Sequence, residues 1–326
     1  MAADPLSDLL KTVRLTGAVF FEIAAQGAWA VASPARELIL PRILPGADHL
    51  IAYHVVTAGN CFGTAKGGEP ISLSAGEVII FTNGQPHVMS SAPNMPAEPP
   101  MSDVLEVAAA GQQPFCINYG DGASSTKLVC GYLACDASPF NPLIENLPPV
   151  LTARDSSNGA GWISQFIGMA VAEASEKHAG SESMLTKLSE LMFINVVRRH
   201  LETLSPENAG WLAGLRDPFI GKALSLLHDK PAAGWTIDEL AKQTGLSRSV
   251  LAERFTNLVG IPPMQYLAKW RMQIACELLA GSNANMAGIA TQVGYESEAA
   301  FSRAFKKMIG KAPSAWRRRA GPHLKK

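Results

Sequence analysis

The chain has 326 residues, room for about two domains at roughly 150 residues each. Its 28 Lys and Arg balance 28 Asp and Glu, so the net charge is zero, which on its own argues against nucleic acid and against a polybasic membrane anchor. A 47% hydrophobic and 17% charged composition excludes a disordered chain, and no run approaches the roughly 18 apolar residues of a membrane helix.

The zero sum hides an asymmetry. Residues 1–205 carry 11 basic and 19 acidic residues, a balance of −8, and residues 206–326 carry 17 and 9, a balance of +8. A basic half joined to an acidic one points to a nucleic-acid-binding part coupled to something else.

The start, MAADPLSDLLKTVR, carries acids where a secretory signal would carry Lys or Arg, and has no apolar core before a cleavage site. A cytoplasmic protein is expected. Residues 15–135 read mostly as β. The short apolar runs LIAYHVV (50–56), EVIIFT (77–82) and LVCGYL (128–133) are separated by Gly, Pro and Asn, the pattern of a sandwich or barrel. Trp29, Phe62 and Phe81 fall in this region as core or pocket-lining aromatics. Segment 92–103, with four prolines, reads as an exposed loop. Five cysteines (Cys61, Cys116, Cys130, Cys135, Cys276) without a signal peptide suggest reduced thiols, and the lack of a C-x-x-C pair argues against a zinc ribbon.

Residues 161–203 switch to helical periodicity. Two amphipathic helices are expected there, with Leu188, Leu191, Met192, Asn195 and Val196 near one face of the second. Segment 205–216 reads as a linker. From 217 the chain reads as helical. Asp217-Pro218 supplies an N-cap acid and a proline at the first helical position. Thr236 and Glu239 fit a capping box. Pro262-Pro263 opens a long helix to about Leu279.

The basic half contains an internal repeat. Leu240-Ala241, Gly245, Ser247, Phe255 and Gly260 recur as Ile289-Ala290, Gly294, Ser297, Phe305 and Gly310, offset by 49 residues before the turn and 50 after it. A small Ala lets two helices approach, and Gly four residues later permits a positive-φ turn. This is the spacing of a helix-turn-helix, whose second helix enters the major groove. The intervening helix, 17 residues at 1.5 Å each, spans roughly 25 Å, a length that would hold two reading helices about one DNA turn apart.

The reading helices resolve into faces. In 248–258, Leu251, Phe255 and Leu258 are expected in the core, leaving Arg248, Ser249, Ala252, Glu253 and Asn257 outward. In 298–308, Phe301, Phe305 and Met308 repeat the core spacing, leaving Glu298, Ala299, Ser302, Arg303 and Lys306 outward. Arginine grips guanine in a bidentate manner or clamps phosphate. Arg254, beside the core position Phe255, is either a DNA contact or a structural ion-pair partner. Lys306, Lys307, Lys311 and Arg317-Arg318-Arg319 read as phosphate contacts or solubilising charge.

The segment WTIDELAKQTGLSRSVLAERF, with GIPPMQYLAKWRMQIACELL and IATQVGYESEAAFSRAFKKMIGKAPSAWR after it, resembles the AraC/XylS-type transcriptional regulators over about 100 residues. The amino-terminal pieces DPLSDLLKTVRLTGAVFF, GEVIIFTNGQPH, VCGYL and NPLIENLPPVL resemble the cupin-like sensor of one branch of that family. The resemblance implies an α+β multidomain protein. Residues 1–205 would be a cupin-like β-barrel with two helices, for sensing and dimerisation, 206–216 a linker, and 217–326 an all-α domain with two helix-turn-helix units. It implies a bacterial, ligand-responsive transcription factor with no cofactor. Its partners would be a double-stranded DNA operator, a small-molecule effector, a second copy of the chain and, for an activator, RNA polymerase, with no membrane partner. One departure stands out: family members often carry a basic residue where this chain has Glu253. An acid there repels phosphate but can accept from a cytosine amino group.

Two enzymatic alternatives each require motifs of their own. Cupin enzymes hold a metal with two motifs. The second, G-x5-P-x-G-x2-H, is nearly met by Gly76, Gly84 and His87, with Thr82 in the proline place, but the first needs an H-x-H that is absent before residue 87. A metal enzyme or metal sensor would have to use His54, His87 and Cys130. A DNA-repair methyl acceptor would need a four-cysteine zinc framework or a Pro-Cys-His motif, and neither occurs. A regulator without enzymatic activity is the expected function.

Overall fold

The computed structural model describes residues 4–12, 15–43, 47–97, 115–120, 125–135, 139–154, 161–176, 178–204 and 210–320. Residues 98–103 of the expected loop and 205–209 of the expected linker lie outside them, as do the side chains of Cys116 and Arg319.

The strands run β1 (Thr16–Gln26), β2 (Ala30–Ala32), β3 (His49–Ala58), β4 (Asn60–Ala65), β5 (Ile71–Ser74), β6 (Glu77–Phe81), β7 (His87–Ser90), β8 (Phe115–Tyr119), β9 (Ser125–Cys135) and β10 (Val150–Arg154). They form a six-stranded sheet in the order β10-β6-β3-β9-β1-β8 and a four-stranded sheet in the order β2-β7-β4-β5. The three apolar runs singled out in the sequence fall in β3, β6 and β9. Side chains from both sheets meet in one core, including Phe21, Ile23, Ala52, Phe81 and Leu128 from the larger sheet and Val31, Cys61, Leu73 and Met89 from the smaller. Trp29 and Phe81 are buried in this core.

The larger sheet is covered on its other face as well. Helices α4 (Trp162–Glu176) and α5 (Ser181–Thr203) follow the strands. Because β3 is buried on both faces, it reads as a continuous apolar run rather than an alternating one. The outer-face Tyr53 hydroxyl meets the Ser189 hydroxyl of α5 at 2.6 Å. Glycine at position 17 sets the approach of α5: a Cβ there would stand 2.5 Å from the Thr186 carbonyl oxygen. The Gly17 amide also donates to Glu190 at 3.3 Å. On α5, Leu188, Met192 and Val196 are buried, whereas Leu191, expected near the same face, is exposed.

The other helices are α1 (Pro5–Thr12), α2 (Arg36–Ile43), α3 (Pro142–Asn146), α6 (Trp211–Arg216), α7 (Pro218–Asp229), α8 (Ile237–Thr244), α9 (Arg248–Val259), α10 (Pro263–Gly281), α11 (Met286–Gln292), α12 (Glu298–Ile309) and α13 (Pro313–Ala320). By compactness the chain divides into a sheet unit (Leu15–Cys135 and Leu147–Glu202) and a helical unit. Alongside the helices from residue 210 onward, the helical unit contains α1 and residues 139–146, which the sequence alone groups with the sensor. The second half of the expected linker is not extended chain either. It forms α6, because Trp211 and Leu212 are too apolar to remain in solvent and are buried. The Asn146 side chain accepts from the Trp211 amide at 3.0 Å, and the Trp211 indole donates to the Tyr266 hydroxyl of α10 at 2.9 Å.

Gly17→Ala is expected to destabilise the protein by about 1–3 kcal/mol, because backbone rather than a pliable side chain must move. Urea unfolding of the variant beside the wild type measures this, and an unchanged midpoint would show that α5 shifts without cost.

Candidate functional site

Each half of the internal repeat folds as two helices joined across a left-handed glycine. α8 is capped by Thr236 and ends at Gly245, with φ 78°. α9 is capped by Ser247 and ends at Gly260, with φ 84°. In the second copy, Asn285 caps α11, Gly294 turns with φ 78°, Ser297 caps α12 and Gly310 ends it with φ 77°. Side-chain caps at the start and left-handed residues at the end satisfy the free backbone groups of each helix. The capping box at Thr236 is half made: the hydroxyl accepts from the Glu239 amide at 3.1 Å, while the Glu239 carboxylate accepts from Gln243 at 2.8 Å. Gly294 is required twice over, since a Cβ there would also stand 2.8 Å from Ala232 backbone.

The two reading helices are equal in length, 12 residues each. Leu251 and Phe255 of α9, and Phe301 and Phe305 of α12, are fully buried. Met308, expected in the core, is exposed, and Ile309 packs against the cluster instead. Leu258 is only partly buried. The connecting α10 has 19 residues, roughly 28 Å of helix.

Of the residues expected to face DNA, Arg248, Ser249, Glu253, Glu298, Ala299, Arg303 and Lys306 are exposed and Ser302 is half-buried. Arg303 and Glu253 have no hydrogen-bond or ion-pair partner among the described residues. Arg248 lies 3.8 Å from Asp238, with both side chains about two-thirds exposed, a pair of little strength.

Arg254 differs from these. Its guanidinium donates from Nε (2.9 Å) and Nη2 (2.5 Å) to Asp217 Oδ2 and lies over the Phe219 ring. Asp217 Oδ1 meanwhile caps α7 by accepting from the Phe219 and Ile220 amides. Burial alone would raise the Asp217 carboxyl, but the Arg254 guanidinium and the two amides together hold it below its usual range. Of the two roles open to Arg254 from the sequence, the geometry favours the structural one. The cap was visible at Asp217-Pro218, but nothing local showed that its second oxygen would bind an arginine 37 residues on. Arg317, expected as a phosphate contact or as solubilising charge, donates to the Ala284 carbonyl at 2.6 Å. Val250, in the first turn of α9, is exposed as well.

The sheet unit brings the three metal candidates together. His54 of β3 and Cys130 of β9 are directly opposed in the strand register, on the inner face of the sheet. His87 reaches them from β7 of the opposite sheet. His54 Nδ1 lies 2.9 Å from Cys130 Sγ, and His54 Nε2 lies 2.7 Å from His87 Nε2. His87 stacks on Phe81, ring centroids 3.8 Å apart. One proton arrangement satisfies the group. The Cys130 thiol donates to His54 Nδ1, His54 Nε2–H donates to His87 Nε2, and His87 Nδ1–H faces the Gln85 carbonyl at 3.5 Å.

Burial favours the neutral form of all three groups. Burial lowers His54 well below the usual imidazole range and lowers His87 to about 4, while it raises the Cys130 thiol. The donors do not fit one metal ion, because His54 turns opposite ring nitrogens to its two partners. Among the described residues no group of three His, Cys, Asp or Glu is placed to hold a metal. Thr82, in the proline place of the cupin motif, donates its amide to Pro149 O and its hydroxyl to Pro148 O; a proline could make neither bond.

The chain matches a cupin family model over residues 4–202 and a helix-turn-helix domain model over residues 240–319. It is 32% identical to an AraC-like transcription regulator of Streptomyces antibioticus, covering 98% of this chain and all of that one. A second AraC-like regulator, from Streptomyces lividans, is 31% identical over 97% of this chain and 98% of its own length. The transcriptional regulator AlkR of Acinetobacter baylyi is 28% identical over 97% of this chain and 100% of its own.

Two expectations follow from the side-chain geometry. Asp217→Ala removes both a cap and the Arg254 partner, so it is expected to cost about 1–2 kcal/mol. Arg254→Ala in the Asp217→Ala background is then expected to add little; additive losses in a double-mutant unfolding cycle would rule the coupling out. The second concerns pH. His54 and His87 are held below about 6.5, so the unfolded chain binds protons first as the pH falls. Their contribution is fully present above about pH 6.5 and is lost as the pH falls toward 4. The loss for His87 alone is about 2 kcal/mol at pH 5. Urea midpoints at pH 7.5 and 5.0 test this, with a flatter dependence expected for the His54→Phe/His87→Phe double variant.

Proposed function

The chain belongs to the AraC-like transcriptional regulators that carry an amino-terminal cupin domain, and from that premise we propose that it reads a DNA operator with α9 and α12 under the control of a small molecule bound by the sheet unit. It is a DNA-binding regulator and not an enzyme. No described helix is long and apolar enough to cross a membrane.

The observation that carries the reading is the pairing of two equal, serine-capped helices with an unpaired outward arginine on the second. Capped, rigid helices of this kind present three or four side chains to base edges in the major groove. Arg303 supplies a guanidinium suited to guanine O6 and N7, and Lys306 a charge suited to phosphate. Glu298, Ala299 and Ser302 lie on the same helix, and Arg248, Ser249 and Glu253 form the outward face of α9.

Functionally, we divide the chain into a sensing and dimerising part, residues 1–205, and a DNA-binding part, residues 217–326. An effector shifts the equilibrium only if it binds one presentation of the reading helices better than another. A dimer would address two operator copies, and an activator would also meet RNA polymerase. On this reading the protein works in the bacterial cytoplasm, at the nucleoid when bound to DNA.

Mobility-shift assays of the full chain on duplexes selected from a randomised pool are expected to show binding that weakens steeply with salt. No binding at low salt would sink the reading. Arg303→Ala is expected to weaken the selected site by about 1–3 kcal/mol without changing the unfolding midpoint.

A further inference from the structure

The two reading helices superimpose position for position in the repeat, because the caps Ser247 and Ser297, the buried pairs 251/255 and 301/305, and the terminal Gly260 and Gly310 share one 50-residue offset. Against this frame the charges are exchanged. Arg248 corresponds to Glu298, and Glu253 corresponds to Arg303. At about 100° per residue, position 253 lies roughly 160–200° from the buried Leu251 and Phe255, and position 303 stands the same way to Phe301 and Phe305. The middle of the outward face is therefore an acid on one helix and a base on the other.

Glu253 is exposed and unpaired among the described residues. The neighbours that could neutralise it within its helix, at positions 249, 250, 256 and 257, are Ser, Val, Thr and Asn. Arg254 is held by Asp217, and Arg248 lies by Asp238. An uncompensated carboxylate brought against a duplex meets one phosphate charge per ~1.7 Å of axis. It is tolerated where it points at a groove-floor donor. The major groove offers two, the amino groups of cytosine and adenine. Adenine sets the N7 acceptor beside its amino group, which repels the second carboxylate oxygen, whereas cytosine presents its donor without an adjoining acceptor of its own.

Resting on the DNA-binding reading above, we propose that Glu253 is a specificity-determining residue that accepts a hydrogen bond from a cytosine amino group, so that the two subsites of the operator are read by opposite chemistry, cytosine by α9 and guanine by α12. The operator then carries a G·C pair in each subsite, recognised through its cytosine in one and its guanine in the other. Two copies of one helix-turn-helix in a single chain thereby select an asymmetric sequence and fix the direction in which the chain lies.

The test uses the full chain and duplexes selected from a randomised pool. Wild-type protein is expected to enrich a C·G pair in the subsite read by α9, and replacing that pair with T·A is expected to weaken binding roughly tenfold or more. Glu253→Ala should bind the C·G and T·A duplexes alike, and Glu253→Gln should shift the preference toward adenine. Arg303→Ala should leave the cytosine preference intact. Circular dichroism shows whether each variant is folded, and substitution at this exposed position leaves the core untouched. Selection without an invariant C·G pair there would overturn the proposal. So would a Glu253→Ala protein that binds every sequence more tightly by one common factor, since Glu253 would then only repel phosphate. Failure of every protein, wild type included, to bind any duplex would overturn the DNA-binding reading as well.

Discussion

Burial of two side chains four residues apart on each reading helix is the constraint from which the rest of the DNA-facing surface follows. Leu251 with Phe255, and Phe301 with Phe305, are fully enclosed. Once those positions are inside, helical geometry leaves no choice about what lies outside. The serine caps and left-handed glycines then limit each helix to 12 residues. Arg303 and Glu253 are presented outward because their neighbours are needed inward. Arg254, beside the buried Phe255, is instead bonded to Asp217.

The sheet unit applies the same logic with a period of two. Inner positions of β3 and β9 bury mostly apolar groups, and among the polar ones are His54 and Cys130, which the register places opposite one another. Polar groups so enclosed cost free energy unless they are bonded. Here they bond one another, with His87 supplied across the core from the second sheet. A relay of three neutral groups costs less in an apolar core than any charged form, which is why burial drives both imidazoles toward neutrality. The cupin motif is retained in outline through Gly76, Gly84 and His87, and His87 is held in this hydrogen-bonded group.

Polar networks also join the parts of the helical unit that are remote in sequence. Trp211, Tyr266 and His228 form a buried chain, with His228 stacked on Trp270 at 4.0 Å. Phe140 donates its amide to Gln273 and sets its ring against Tyr266. Segments from three regions of the chain thus enclose one face of α10, the helix that links the two reading units.

By itself the sequence determined what depends on local or periodic order. The repeat, its caps and turns, the outward face of each reading helix, the apolar strand runs and the opposed charges of the two halves all arise from residues within a few positions of one another, and the family resemblance rests on those same motifs. The tertiary structure alone decided matters that depend on distant partners. It engaged Arg254 with Asp217, while Arg303 has no acidic partner among the described residues. It assembled His54, His87 and Cys130, since strand register and sheet pairing have no signature in a single chain. It turned Trp211–Arg216 from expected linker to helix and exposed Met308, because both outcomes depend on whether a neighbouring surface is present to cover them.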